Sequence, residues 1–244
     1  MRIIIIVIVY GLLTSCSNKN GNSDSIHKLE NSVWIDSLCN SYHFKDSLVV
    51  RNLLFQKESD YSEIGKFHSS NKIQLHFQTD FDEVKKYYLE PISKNKMFLS
   101  PLNQYDYPIV LLKKELIQLP YLEIVELKIK INPTFISSNG FRRLSITNNK
   151  KIEYIKADND FELTKNTLSD STFHQIEQYI EILQLEKYEE EYNFAGFDGP
   201  SFELNLITNS YTKTIKSTQG IPKGIRNLIN FIDYKLQTEK QNSR

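Results

Sequence analysis

Two residues of this chain have the spacing of a thiol with a neighbouring base. Cys39 and His43 stand four positions apart. A histidine close to a cysteine can remove its proton and leave the nucleophilic thiolate. This pair predicts a hydrolase or another thiol enzyme. Free cysteine more often behaves as a small buried hydrophobe, and we favour that interpretation for Cys39.

Three carboxylates lie close together at Asp80, Asp82 and Glu83, a composition suited to general acid–base chemistry. The surrounding sequence predicts a short helix that begins at Thr79 or Asp80 and is broken at Pro91. A helix N-terminus favours negative charge because its unpaired N–H groups are partly positive. We therefore favour a structural explanation for the Asp80–Glu83 carboxylates over a catalytic one.

Sequence motifs of known metal, phosphate and nucleophile sites are absent. The five histidines form no H-E-x-x-H pair and adjoin no C-x-x-C cluster, so the spacing of a zinc site is missing. No G-x-S-x-G elbow and no glycine-rich phosphate loop occurs. His174 and Glu177 share a predicted helix face at i,i+3, which indicates an ordinary surface pair. We predict no metal and no cofactor.

A segment from Glu186 to Pro200 combines glutamates with aromatic residues on a predicted connection. Exposed aromatic side chains often anchor protein interfaces, and loops carry function more often than scaffolds do. The candidate interaction loop comprises Tyr188, Glu189, Glu190, Glu191, Tyr192, Phe194, Phe197 and Asp198. In the alternative interpretation, which we favour, the aromatic residues cap the edge of the core and the three consecutive glutamates remain solvated.

Charge gives little indication of a partner. The chain has 30 basic and 30 acidic residues, so its formal net charge is zero, and bulk charge provides no footprint for nucleic acid. Lys128, Lys130, Arg142 and Arg143 suggest a basic face on a predicted sheet, although solvating charges explain them equally well. We predict no nucleic-acid partner.

The first sixteen residues divide into zones of different chemistry. Arg2 precedes an apolar run over residues 3–13, and about 11 residues are too few to span a bilayer core, which needs roughly 20. The run has the length of the apolar region of a signal peptide. The following Leu13-Thr14-Ser15-Cys16 resembles a bacterial lipobox. The alternatives are a buried strand, or an ordinary secretory signal in which Cys16 is incidental.

The lipobox resemblance implies a lipid-anchored envelope protein. In such families the signal peptide, here residues 1–15, is cleaved before the cysteine, whose thiol carries a diacylglyceryl group and whose new amine is usually acylated. Two or more acyl chains anchor a protein stably. Residues 16–25 are polar and predict a flexible tether. Ser17 is not the aspartate that retains enteric-type lipoproteins in the inner membrane, so we expect the outer membrane, facing the periplasm.

The pattern of apolar residues predicts an α+β fold. Residues 26–120 form an N-terminal α+β region, with a helix over 25–39 and strands over 47–56 and 72–78. Residues 121–237 predict the order β-β-β-α-β-β-α. We therefore expect an antiparallel sheet with helices packed on one face, followed by a disordered tail over 238–244.

The C-terminal part resembles a domain of unknown function found in small bacterial lipoproteins. The resemblance rests on Leu168-Ser169 before Phe173, Tyr188 to Tyr192, Asp198-Gly199-Pro200 before a strand, and Ile221-Pro222 at the last helix. It implies no activity and no catalytic residue.

These observations favour a lipid-anchored, non-enzymatic module that binds a protein or another envelope component. The alternatives are a hydrolase or thiol enzyme that uses Cys39 and His43 or the Asp80–Glu83 carboxylates, and an anchored inhibitor or immunity protein. The sequence does not separate the inhibitor from the general binding module.

Overall fold

The structure is a computed structural model, which describes residues 29–56, 63–69, 73–78, 84–102, 108–116, 122–133, 140–157, 161–193 and 199–242. Contacts divide the chain into two compact units with separate hydrophobic cores. The barrel unit comprises Met1–Trp34, Tyr42–Arg51 and Tyr61–Lys114. The sheet unit comprises Ile35–Ser41, Asn52–Asp60 and Glu115–Arg244.

The barrel unit is built on eight strands that follow one another in chain order around a closed barrel. They are β1 (Ser32–Ile35), β2 (Asn40–Lys45), β3 (Leu48–Leu53), β4 (Glu63–Ser69), β5 (Ile73–Gln78), β6 (Val84–Ser93), β7 (Lys96–Pro101) and β8 (Ile109–Lys113). Asp46 and Ser47, with φ angles of 50° and 64°, form the two-residue turn between β2 and β3. Positive φ at both central residues gives a hairpin turn the twist of its strands.

Large side chains fill the barrel core, as expected where an interior has room for side chains alone. The ring of Phe77 meets those of Tyr42 and Tyr87 edge-on, with centroids 6.4 and 6.1 Å apart. The other buried hydrophobic residues of this cluster are Leu29, Trp34, Phe44, Val49, Ile73, Leu75, Leu89, Met97, Leu99 and Leu111. Successive side chains of a strand point to opposite sides, so residues two apart, such as Ile73, Leu75 and Phe77, join this core.

Seven strands form the sheet of the other unit, in the order β12-β11-β10-β9-β14-β15-β13. They are β9 (Ile124–Asn132), β10 (Phe141–Thr147), β11 (Lys151–Ala157), β12 (Phe161–Thr167), β13 (Glu191–Tyr192), β14 (Ser201–Thr208) and β15 (Thr212–Ser217). Neighbouring strands are antiparallel except β13 and β15, which are parallel. Leu127, Ile129 and Ile131 of β9 are buried, and the residues between them are not.

Two α-helices occur in the described part of the chain, α1 (Asp170–Leu183) and α2 (Lys223–Asn242). The hydroxyl of Ser169 caps α1 by accepting the N–H of Thr172 at 3.2 Å. Both helices contribute their buried stripes to the core cluster that contains the inward residues of the sheet. In this core Tyr179 of α1 stacks on Phe231 of α2 with ring centroids 4.9 Å apart.

The predicted fold class is wrong. Strands make up most of the described part of the chain and a closed barrel accounts for eight of them, so the fold is mostly β and is not a sheet with helices packed on one face. The predicted helix over 25–39 contains β1, and the predicted helix after Asp80 is replaced by β6. Short apolar segments fit the periods of helix and strand alike, and long-range pairing decides between them.

The predicted C-terminal order β-β-β-α-β-β-α also lacks two strands, β12 and β13. Strand β12 is an edge strand whose side chains from Glu162 to Thr167 are mostly exposed, so no apolar alternation marks it. Strand β13 has two residues and exists through its pairing with β15. α2 extends to Asn242, through residues that the sequence assigns to a tail.

Candidate functional site

Alternation along the strands of the sheet unit leaves one set of side chains outside the core. We call this exposed or half-buried set the outer face. Its charged members are Glu126, Lys128, Lys130, Arg143, Lys151, Glu153, Lys165, Glu203 and Lys216. Its uncharged members include Phe141, Ser145, Thr147, Ile155, Leu163, Thr167, Asn205, Ile207, Thr212 and Thr214.

Most charges of the outer face are paired across or along the strands. The Nζ atom of Lys128 lies 2.7 Å from Oε1 of Glu126. Two further ion pairs join neighbouring strands, Lys165–Glu153 at 3.2 Å and Lys216–Glu203 at 3.5 Å. Exposed pairs of this kind contribute little to stability, about 0–1 kcal/mol each. The face therefore carries both acidic and basic side chains.

A depression of about 570 Å³ occupies one end of the outer face. It is lined by Ser145, Thr147, Asn149, Lys151, Ile152, Glu153, Lys165, Asn166 and Thr167. Every lining residue except Ile152 has a polar side chain, so the depression can accept polar side chains of a binding partner. Three of these residues, Lys165, Asn166 and Thr167, belong to the edge strand β12.

Only part of the predicted basic face lies on the outer face. Lys128, Lys130 and Arg143 are there, whereas Arg142 is on the opposite side of β10 because successive residues of a strand alternate. The Nε atom of Arg142 lies 3.7 Å from Oδ2 of Asp233 on α2. Arg142 therefore belongs to the contact between the sheet and a helix.

The aromatic residues of the candidate interaction loop hold the loop to the core. Tyr188 and Tyr192 are half-buried against the core, with their rings edge-to-face and 6.4 Å apart. The Tyr192 hydroxyl accepts the N–H of Glu189 at 3.1 Å. Burial raises the pKa of Tyr188 to about 12, so this phenol stays protonated. These two tyrosines position the backbone of the loop.

The glutamates of the same loop are exposed. Glu189, Glu190 and Glu191 all face solvent, and the carbonyl of Glu190 accepts the N–H of Lys216 at 2.8 Å. Because Glu191 pairs with Lys216 in register, these glutamates form an acidic rim beside the outer face. Phe194, Phe197 and Asp198 lie outside the described residues.

The predicted thiol site has unfavourable chemistry. Cys39 is fully buried in the sheet unit, and its thiol donates to the carbonyl of Tyr179 at 3.5 Å. Burial raises the pKa of this thiol, and Asp36 raises it further, so the nucleophilic thiolate is disfavoured. His43 lies on β2 in the barrel unit. The carboxylates Asp80, Asp82 and Glu83 lie outside the described residues.

The sequence does not indicate that one carboxyl, that of Glu177, is buried. Glu177 on α1 is 4% exposed, although its spacing from His174 predicts a surface pair. Its Oε1 accepts the N–H of Ile124 at 3.1 Å, and its Oε2 lies 3.6 Å from Nδ1 of His174. Burial raises the pKa of Glu177, whereas the hydrogen bond from the N–H of Ile124 and the imidazole of His174 lower it. Because β9 begins at Ile124, Glu177 ties the start of that strand to α1.

The described part of the chain shows neither a metal site nor a membrane-spanning helix. No group of three or more His, Cys, Asp or Glu among those residues could hold a metal ion. No helix among them is both long enough and apolar enough to cross a bilayer. Cys16 and the lipobox lie outside the described residues.

No protein-family model, no curated protein and no solved structure matches the chain. The resemblance of residues 121–237 to an envelope lipoprotein domain, like the lipobox, therefore stays a prediction from sequence.

Proposed function

We propose that this chain is a lipid-anchored protein of the cell envelope that acts as a non-enzymatic binding module. The observation that carries the proposal is the outer face of the sheet unit, with its patterned charges, its depression of about 570 Å³ and its acidic rim. Strands in fixed register hold these side chains in place, so a partner meets a preorganised surface.

The anchor is the lipid on Cys16, after removal of residues 1–15. Fatty acid labelling tests it directly, because Cys16→Ser removes the only atom that carries the diacylglyceryl group. We expect label in the wild-type protein and none in the variant. Label that persists in Cys16→Ser would contradict anchoring at this residue. The expected location is the outer membrane, facing the periplasm.

Binding is tested by cross-linking in intact cells with an amine-reactive reagent, followed by mass spectrometry of the cross-linked peptides. Five exposed lysines report on the outer face: Lys128, Lys130, Lys151, Lys165 and Lys216. Exposed lysines of the barrel unit, Lys66, Lys85 and Lys96, are the internal control. We expect one partner cross-linked to outer-face lysines of the anchored protein. Cross-links confined to the control lysines would contradict this use of the face.

The same experiment separates the remaining alternatives. An exported toxin as the cross-linked partner would identify the module as an inhibitor or immunity protein. The thiol enzyme receives no support from the structure, since the Cys39 thiol is buried and its pKa is raised.

A further inference from the structure

Two cations of the outer face stand directly opposite each other. Arg143 of β10 and Lys130 of β9 are a register pair, and both side chains are exposed. Like charges at directly opposed positions of a sheet destabilise it, whereas opposite charges stabilise it. This arrangement is unfavourable in the protein alone and becomes favourable when an anion binds between the two side chains.

The described residues form no ion pair with these two cations. Glu203 is opposite Lys130 on the other side, but its carboxylate lies 3.5 Å from Nζ of Lys216 and accepts from the amide of Asn205 at 3.2 Å. Of the other outer-face lysines, Lys128, Lys165 and Lys216 have carboxylate partners, and Lys151 has none among the described side chains. Among the described side chains, Lys130 and Arg143 form no such ion pair.

Arg143 is also held ready for a ligand. Its guanidinium carbon lies 5.9 Å from the centre of the Phe141 ring, within the range of a cation–π contact. A guanidinium that rests on a ring keeps its N–H groups available at its edge. That edge matches the two oxygens of a carboxylate.

An apolar patch adjoins the cation pair. Ile155 is opposite Arg143 in register, Leu163 is opposite Ile155, and Phe141 lies two residues before Arg143 on β10. The side chain of Leu163 is 50% exposed, although it is a large hydrophobic residue. A ligand that fits here therefore has an anionic group next to an apolar one.

We propose that Lys130 and Arg143, together with the apolar patch of Phe141, Ile155 and Leu163, form a binding site for an acidic protein segment. The segment places one carboxylate between the two cations and one apolar side chain on the patch. This inference rests on the proposed function and names the chemistry of the partner. A protein fits better than an anionic membrane, because Glu126, Glu153 and Glu203 on the same face would repel a uniformly negative surface.

The test uses the exported full chain with Cys16→Ser, so that a lipid does not obscure binding. The probes are fluorescein-labelled nonapeptides with a single glutamate one to three positions from a phenylalanine, and matched peptides with glutamine instead. Binding is measured by fluorescence anisotropy. Vesicles of phosphatidylcholine with phosphatidylglycerol, and inorganic phosphate as a competitor, report on the other sources of anionic groups.

The site variant is Lys130→Gln with Arg143→Gln, and its control is Lys85→Gln with Lys96→Gln in the barrel unit. All four side chains are exposed, so both variants should melt close to the wild-type temperature. We expect glutamate peptides to bind, and to bind roughly tenfold more weakly to the site variant but unchanged to the control. Binding should also weaken as salt is added.

Equal binding of the glutamine peptides, or equal binding by the site variant, would overturn the proposal. So would binding to anionic vesicles without peptide binding, or displacement of the peptide by millimolar phosphate. If the site variant still cross-links its partner through outer-face lysines in cells, this inference fails and the proposed function stands. If the wild-type outer face cross-links nothing, both fail.

Discussion

At the scale of the residue, the buried polar groups of the sheet unit serve the fold. Cys39 donates to a backbone carbonyl of α1, and Glu177 accepts the N–H at the start of β9. The interpretation of Cys39 as a buried hydrophobe follows from its residue type alone. The burial of Glu177 does not, because helical spacing identifies its neighbour but not the strand end that covers it.

The burial of Cys39 predicts an inert thiol. In the Cys16→Ser form Cys39 is the only cysteine, so Ellman's reagent reports on it alone. We expect no reaction with the folded protein and one thiol per chain after unfolding in guanidinium, because the buried thiol neither meets the reagent nor ionises. A rapid reaction in native buffer would contradict this placement and would restore the thiol enzyme as an alternative.

The raised pKa of Glu177 predicts a particular pH dependence of stability. An acid whose pKa is raised by folding binds its proton more tightly in the folded state, so ionisation above its ordinary pKa of 4.5 lowers the free energy of unfolding. Glu177→Gln keeps an acceptor for the N–H of Ile124 and removes the titration. We expect wild type to lose stability relative to Glu177→Gln as pH rises from 4.5 towards 7 in urea unfolding.

The imidazole of His174 opposes this effect when it is protonated, so the same comparison in a His174→Gln background isolates the carboxyl. The loss should be larger in that background. Parallel stability curves for the two proteins across this pH range would show that Glu177 is not buried as described.

At the scale of the element, the loop after α1 has two parts with different tasks. Its tyrosines pack on the core, and its glutamates face solvent. The composition of the segment predicts both tasks, but the contacts that hold Tyr188 come from residues distant in sequence. An added Cβ at Gly224 of α2 would collide with the Tyr188 hydroxyl, so that helix fits closely around the ring.

Truncation of Tyr188 should therefore destabilise the sheet unit. We expect Tyr188→Ala to cost about 1–3 kcal/mol in urea unfolding, less than a fully buried aromatic because this ring is half-buried. The triple change of Glu189, Glu190 and Glu191 to glutamine should leave stability within about 0.5 kcal/mol, since all three are exposed. The opposite ranking would mean that the tyrosine is the free surface and the glutamates support the fold.

Strand β4 depends on a glycine. A Cβ on Gly65 would lie 2.8 Å from Cδ1 of Phe77 and 2.9 Å from both the carbonyl of His76 and Cγ1 of Val49. We expect Gly65→Ala to destabilise the barrel unit by about 1–3 kcal/mol, because a backbone atom is among the contacts and cannot easily move. Lys66→Ala on the same strand is exposed and should change little. Equal stability of both variants in thermal melts would contradict this packing.

At the scale of the whole molecule, single strands can be predicted from the sequence, whereas the pairing of distant strands cannot. The alternation of Leu127, Ile129 and Ile131 predicts β9 correctly, since one strand shows its own period. Closure of eight strands into a barrel depends on pairing between distant segments, which no local period reveals. The composition of the outer face likewise depends on strand order and register. The basic face predicted from sequence therefore included Arg142, which lies on the opposite side of the sheet.

The most direct test of the binding module is site-specific photo-cross-linking in living cells. A photoreactive amino acid is placed at Ser145 or Asn205 on the outer face, and at Lys85 of the barrel unit as control. The anchored protein should give one discrete adduct from Ser145 and Asn205 but none from Lys85, and Cys16→Ser should lose it. An adduct from Lys85 alone, or none from both outer-face positions, would contradict a binding module that uses this face.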